Sequence, residues 1–122
     1  MKLWNISFLP VLFCSILGCT IGSAHQNFIE SVEHTVNRRP NIADLDYNSK
    51  YPNGYFLADS RYLTSKEVVN QSVIRYHFAR PNIWEGRFCH YYLDVDTASE
   101  KVYGWGFDVS KSDPKIECGI SG

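Results

Sequence analysis

The sequence has no excess of charge of either sign. Its 12 Lys and Arg stand against 13 Asp and Glu, a formal net charge of -1 at pH 7. A protein that holds nucleic acid without regard to sequence needs a basic face to release counterions, so that class is excluded and no nucleic-acid partner is expected. There is no C-x-x-C pair among the 4 Cys, which argues against a zinc ribbon. No apolar run reaches the ~20 residues that span a bilayer. No Pro-, Ser- or Gly-rich linker, internal repeat or low-complexity tract divides the chain, so one domain is expected. No catalytic signature stands out, and no cofactor motif is present.

What is there begins with a leader. Lys2 is its one charge, and Leu3 to Leu17 is almost wholly apolar, interrupted by Asn5, Ser7, Pro10 and Ser15. Followed by small residues, this reads as a signal peptide over residues 1–24, leaving a single domain over 25–122. Two exits are visible. Gly22-Ser23-Ala24 suits a signal peptidase and gives a soluble periplasmic or secreted chain starting at His25. Ile16-Leu17-Gly18-Cys19 resembles a bacterial lipobox, in which Cys19 is acylated and becomes the first residue. Leu17 stands there where Ala or Ser is more usual. Acyl chains at Cys19 would anchor the protein to a membrane, since each buried methylene contributes ~0.8 kcal/mol and two chains suffice. Thr20 is unlike the Asp that retains such lipoproteins at an inner membrane; in a Gram-negative source, that resemblance implies a periplasm-facing place on the outer membrane.

Either exit leaves Cys89 and Cys118, an even pair in an exported chain, and predicts one disulfide. Beyond the leader lie all 8 Tyr, Trp84 and Trp105. Such aromatics favour strands.

The expected fold is α+β, an N-terminal helix packed on a four-stranded antiparallel meander with one disulfide. Asn27 can cap the helix, with Phe28, Ile29, Val32 and Val36 on one face and Pro40 stopping it. Asn41 to Asp46 suits a short helical turn, and Tyr51-Pro52-Asn53-Gly54 a reverse turn. Period-two patterning then predicts strands over Tyr55–Thr64, Ser72–Arg80, Arg87–Val95 and Val102–Val109. In the last hairpin, Val95 opposite Val102 would set Leu93 over Gly104 and Tyr91 over Gly106. Those glycines would then leave room for the helix, and Tyr92 would lie near Trp105 on the other face.

Several residues invite a chemical reading. His77 and His90 become cross-strand neighbours if Arg80 pairs with Arg87, which would suit zinc or copper or a small hydrolase; a third ligand is not evident, and two arginines face each other in that register. Glu30 and His34 are neighbours on the helix, a common arrangement on a solvated face. Asp94, Asp96 and Glu100 suggest a calcium loop, but Ala98 and Ser99 break its pattern, and Asp96 reads better as a turn-former. Trp84 and Ile83 at a hairpin tip are candidate interface residues, as are Trp105 and Tyr92.

The run C-H-Y-Y-L-D-V-D-T-A-S-E-K-V-Y-G-W-G-F-D with the later K-I-E-C resembles a pattern in small bacterial envelope proteins. There a Cys opens an aromatic strand ending V-D, and a strand ending W-x-F precedes a second Cys. Ala98-Ser99-Glu100 departs from the Thr-Gly usual at that turn. A lipobox, helix and meander are also similar in topology to the BamE (SmpA) outer-membrane lipoproteins, although the helix motif of that family is absent. The first likeness is carried by structural motifs and the second by topology alone, so neither carries an assembly role over. The expected function, a non-enzymatic exported envelope lipoprotein that binds or supports another envelope component, needs only an anchor, a rigid sheet and an apolar contact. The alternatives are a periplasmic immunity protein that inhibits a toxin or enzyme, and a small exported metal-binding protein or hydrolase using His77 and His90.

Overall fold

A computed structural model describes residues 24–47, 57–82 and 86–120. Helix α1 covers residues 24–37. It starts ahead of Asn27, which therefore lies within the helix and does not cap it. Phe28, Val32, Thr35 and Val36 are buried, the spacing that puts four side chains on one face. Thr35 keeps its hydroxyl satisfied by donating to the Ser31 carbonyl at 2.9 Å. The helix ends where Arg39 turns left-handed at φ 50° and donates to the Val36 carbonyl, with Pro40 next.

The chain after α1 runs beside the last strand. Val102 donates to the Pro40 carbonyl at 2.8 Å and Ile42 to that of Glu100 at 2.9 Å. Asn41 caps a 3-10 turn over Ile42–Leu45, the short helical turn expected from the sequence. A second 3-10 turn, Ser60–Tyr62, is capped by Asp59.

Four strands follow: β1 Leu63–Asn70, β2 Val73–Pro81, β3 Phe88–Asp96 and β4 Val102–Phe107. They pair antiparallel in the order β1-β2-β3-β4, a meander. One face of this sheet carries Phe78, Tyr91, Leu93, Val95 and Val102 into the core against Phe28, Val32, Leu45 and Leu57. Fully burying a side chain such as Phe78 or Leu93 contributes roughly 1.5–3 kcal/mol. Tyr91 brings a hydroxyl into that core and satisfies it by donating to the Leu57 carbonyl at 2.6 Å. Burial raises its phenol pKa well above the ordinary value.

The helix, meander and disulfide are as the sequence predicts. Two placements are corrected. The first strand is Leu63–Asn70, not Tyr55–Thr64: residues 57–62 form turns, and Ser65–Gln71, read as a connection, supplies most of the strand. An edge strand exposed along nearly its whole length has no apolar alternation to display, and Lys66 and Glu67 are the charges such an edge carries.

The second correction is the β3–β4 register. Val95 does face Val102, but a bulge at Tyr103 shifts all that follows, so Leu93 faces Trp105, Tyr92 faces Gly106 and Tyr91 faces Phe107. One extra residue exchanges the two faces of β4. Trp105 and Phe107 therefore turn toward α1, where both rings meet Phe28. Gly104 and Gly106 face away from the helix.

Behind β4, Asp113 caps the short helix α2, Pro114–Glu117. Cys118 then bonds Cys89 across a separation of 29 residues. By the chain-entropy argument, closing such a loop stabilises the fold by about 3–4 kcal/mol. The clasp also brings the tail to the start of α1. Ile120 donates to the Ala24 carbonyl at 3.0 Å, and the Cys118 carbonyl lies 2.8 Å from His25 Nδ1. His25 stacks on Phe107.

Candidate functional site

The face of the sheet turned away from α1 is polar, and its side chains are tied to one another except at His90, whose buried Nδ1 has no hydrogen-bond partner among the described residues. Strand β2 supplies Arg75 and His77, β3 supplies His90, Tyr92 and Asp94, and β1 supplies Glu67, because these positions alternate with the buried ones. Arg75 meets Asp94 directly across the β2–β3 ladder with two hydrogen bonds, Nε to Oδ1 at 2.8 Å and Nη2 to Oδ2 at 3.2 Å. Its guanidinium lies 4.0 Å from the centre of the Tyr92 ring. The bonds to Asp94 raise the Arg75 pKa and fix it as a cation.

His77 is held on both sides. Nε2 lies 2.8 Å from Glu67 Oε1, and Nδ1 lies 2.9 Å from Asp108 Oδ2. Asp108 follows the end of β4 and is set in place by its own backbone N–H, which donates to the His90 carbonyl at 3.0 Å. Burial opposes charging the ring, but the hydrogen bonds to Asp108 and Glu67 outweigh it, and the pKa rises above the ordinary histidine value. With an acceptor at each nitrogen, the ring suits an imidazolium that donates twice. In that state it has no lone pair for a metal or a proton.

A cleft of roughly 320 Å³ lies elsewhere, between the start of α1, the end of β2 and the clasped tail. Phe28, Pro81, Ile116 and Ile120 give it apolar walls, and Arg80 and Glu117 its charges. Glu117 Oε2 is buried there with no partner among the described residues.

The residues singled out in the sequence fall as follows. Cys89 and Cys118 are joined. Cys19, Ile83, Trp84 and the Tyr51–Gly54 turn lie outside the described residues. Trp105 and Tyr92 occupy opposite faces and form no common patch. His77 and His90 are not cross-strand partners: Arg80 pairs with Cys89, His77 faces Tyr92 and His90 faces Ala79. Among the described residues no group of three or more His, Cys, Asp or Glu could hold a metal. Asp96 is the turn-former expected, its carboxylate accepting from the Ser99 N–H at 2.8 Å and the Ser99 hydroxyl at 2.7 Å. Glu30 and His34 are both exposed on α1.

Sequence reading missed Glu67, Arg75 and Asp108, and it took Asp94 for a calcium-loop candidate where the structure pairs it with Arg75. The alternation of Arg75 and His77 with Ile74, Tyr76 and Phe78 is a usable signal for Arg75. Comparison with known protein families, curated proteins and solved structures gives no match.

Proposed function

We propose that the protein is a non-enzymatic exported envelope lipoprotein that binds or supports another envelope component through the open face of its sheet. The observation that carries this reading is the division of labour between the two faces. Helix and clasped tail seal one, while the other joins Arg75 to Asp94 and Tyr92, and His77 to Asp108 and Glu67, without an apolar cover from the described residues. Side chains ordered before contact lose less entropy on binding, which suits a recognition surface.

The acylated exit at Cys19 gains support from Ala24. Cleavage after Ala24 would remove the carbonyl that receives the Ile120 N–H, and with it the residue packed against Gly119. Cleavage before Cys19 leaves α1 whole. The resemblance of the Cys89–Cys118 segment to envelope proteins points the same way.

A photo-crosslinking residue placed at Ala79, on the open face, tests the proposal in intact envelopes. The expected result is capture of one defined envelope component from Ala79 and not from Glu33 on the solvent side of α1. Equal capture from both positions, or none from either, would count against it.

A further inference from the structure

The two carboxylates on His77 come from opposite ends of the sheet's connectivity. Glu67 lies in edge strand β1, and Asp108 belongs to the segment after β4. They also differ in burial: the side chain of Asp108 is 15% exposed and that of Glu67 57%. A neutral imidazole has one N–H and one lone pair, so it can serve only one of them. Losing the proton therefore forces a choice.

Burial decides it. A carboxylate shut away from water suffers more from losing its donor than one that can turn to solvent. The remaining N–H stays on Nδ1 facing Asp108, and Nε2 turns a lone pair toward Glu67. Glu67 then swings off. Arg75 stands directly opposite Glu67 in the β1–β2 ladder, whereas His77 is opposite Ser65, so Glu67 reaches His77 diagonally and has a cation beside it when released. The other groups around the ring do not reverse this. From β3, the Tyr92 ring lies 6.0 Å from the imidazole and His90 faces Ala79, two residues along β2; Asp94 is engaged by Arg75, and β4 contributes Gly106.

We propose that Glu67, His77 and Asp108 form a proton-operated latch, in which a proton on His77 ties edge strand β1 to the segment after β4 and its loss frees Glu67. An exported chain meets external pH without a cytosolic buffer, and there the latch would couple acidity to the order of one sheet edge. The latch itself rests on the geometry of the three side chains and holds whether or not a partner docks on the face.

The test uses the oxidised protein labelled with ¹⁵N in histidine. Long-range proton–nitrogen correlations across a pH titration report each ring nitrogen of His77, and amide hydrogen exchange reports β1. Both nitrogens should be protonated at mildly acidic pH, with a midpoint above the reference value of about 6.5. Above that midpoint, Nε2 should lose the proton, and β1 exchange should exceed its intrinsic base-catalysed rise by about threefold or more. Glu67→Gln, a change at an exposed position, should lower the midpoint and remove the excess exchange. A neutral His77 ring in mildly acidic solution, loss of the proton from Nδ1 first, an unchanged midpoint in Glu67→Gln, or β1 exchange that follows its intrinsic rate would each overturn the latch.

Discussion

The ring of Tyr92 lies across Gly106 on the neighbouring strand and fills the space that a side chain there would enter. A Cβ built at Gly106 would come within 2.8 Å of Tyr92 Cε2, and Arg75 rests on the same ring. The glycine is therefore needed for close approach and not for an unusual backbone. Gly106→Ala should cost about 1–3 kcal/mol, the usual penalty for overpacking. In a Tyr92→Ala background the same change should cost close to nothing, and denaturant unfolding of the four variants closes the cycle.

Removing the disulfide should act on both ends of the chain. Cys89→Ser with Cys118→Ser should lower stability by about 3–4 kcal/mol in urea unfolding. Because Ile120 and Cys118 contact Ala24 and His25, the amides at the start of α1 should also lose protection from hydrogen exchange. Loss confined to the tail would show that the clasp does not hold the helix.

Glu100 sits at φ 60° in the β3–β4 turn, a conformation that glycine adopts without steric strain. Glu100→Gly should leave stability unchanged or raise it by up to about 1 kcal/mol, since relief of strain competes with greater freedom of the unfolded chain. Ile42 uses only the Glu100 carbonyl, which the substitution keeps. A loss of stability in thermal unfolding would contradict this account of the turn.

The pH dependence of stability follows from two groups with opposite signs. The folded-state pKa of His77 is raised, so its contribution is fully present below the unfolded value of about 6.5 and is lost as pH rises through the folded value. Asp59 is lowered, chiefly by its side-chain hydrogen bonds with Arg61; its contribution is present above the unfolded value and is lost as pH falls through the folded one. Stability should therefore decline on both the alkaline and the acid side. His77→Gln should flatten the alkaline decline, and Asp59→Asn the acid one, as read from denaturation midpoints across pH.

How much of this was legible depended on whether an element has one buried face. Strands β2 and β3 alternate, with Phe78, Tyr91, Leu93 and Val95 inward, and their placement was readable within a residue or two. β1 has almost no inward face, so its charged sequence looked like a loop. The bulge at Tyr103 leaves no mark in composition, yet it decides that Trp105 is a core-side ring and Gly106 an outward one. The His77 cluster was hidden for the same reason. Its partners lie 10 and 31 residues away, brought in by an edge strand and by a residue beyond the last strand.

On the proposed reading the chain is exported and anchored at Cys19, and Ala24 stays in place to join α1 to the tail through its carbonyl. The intact mass of the protein recovered from the envelope of a Gram-negative host reads the start of the chain, its acylation and its thiols together. The expected product is a polypeptide beginning at an acylated Cys19, still carrying Ala24, with Cys89 and Cys118 oxidised. An unacylated chain starting at His25, or the full precursor with both thiols free in the cytosol, would contradict this reading.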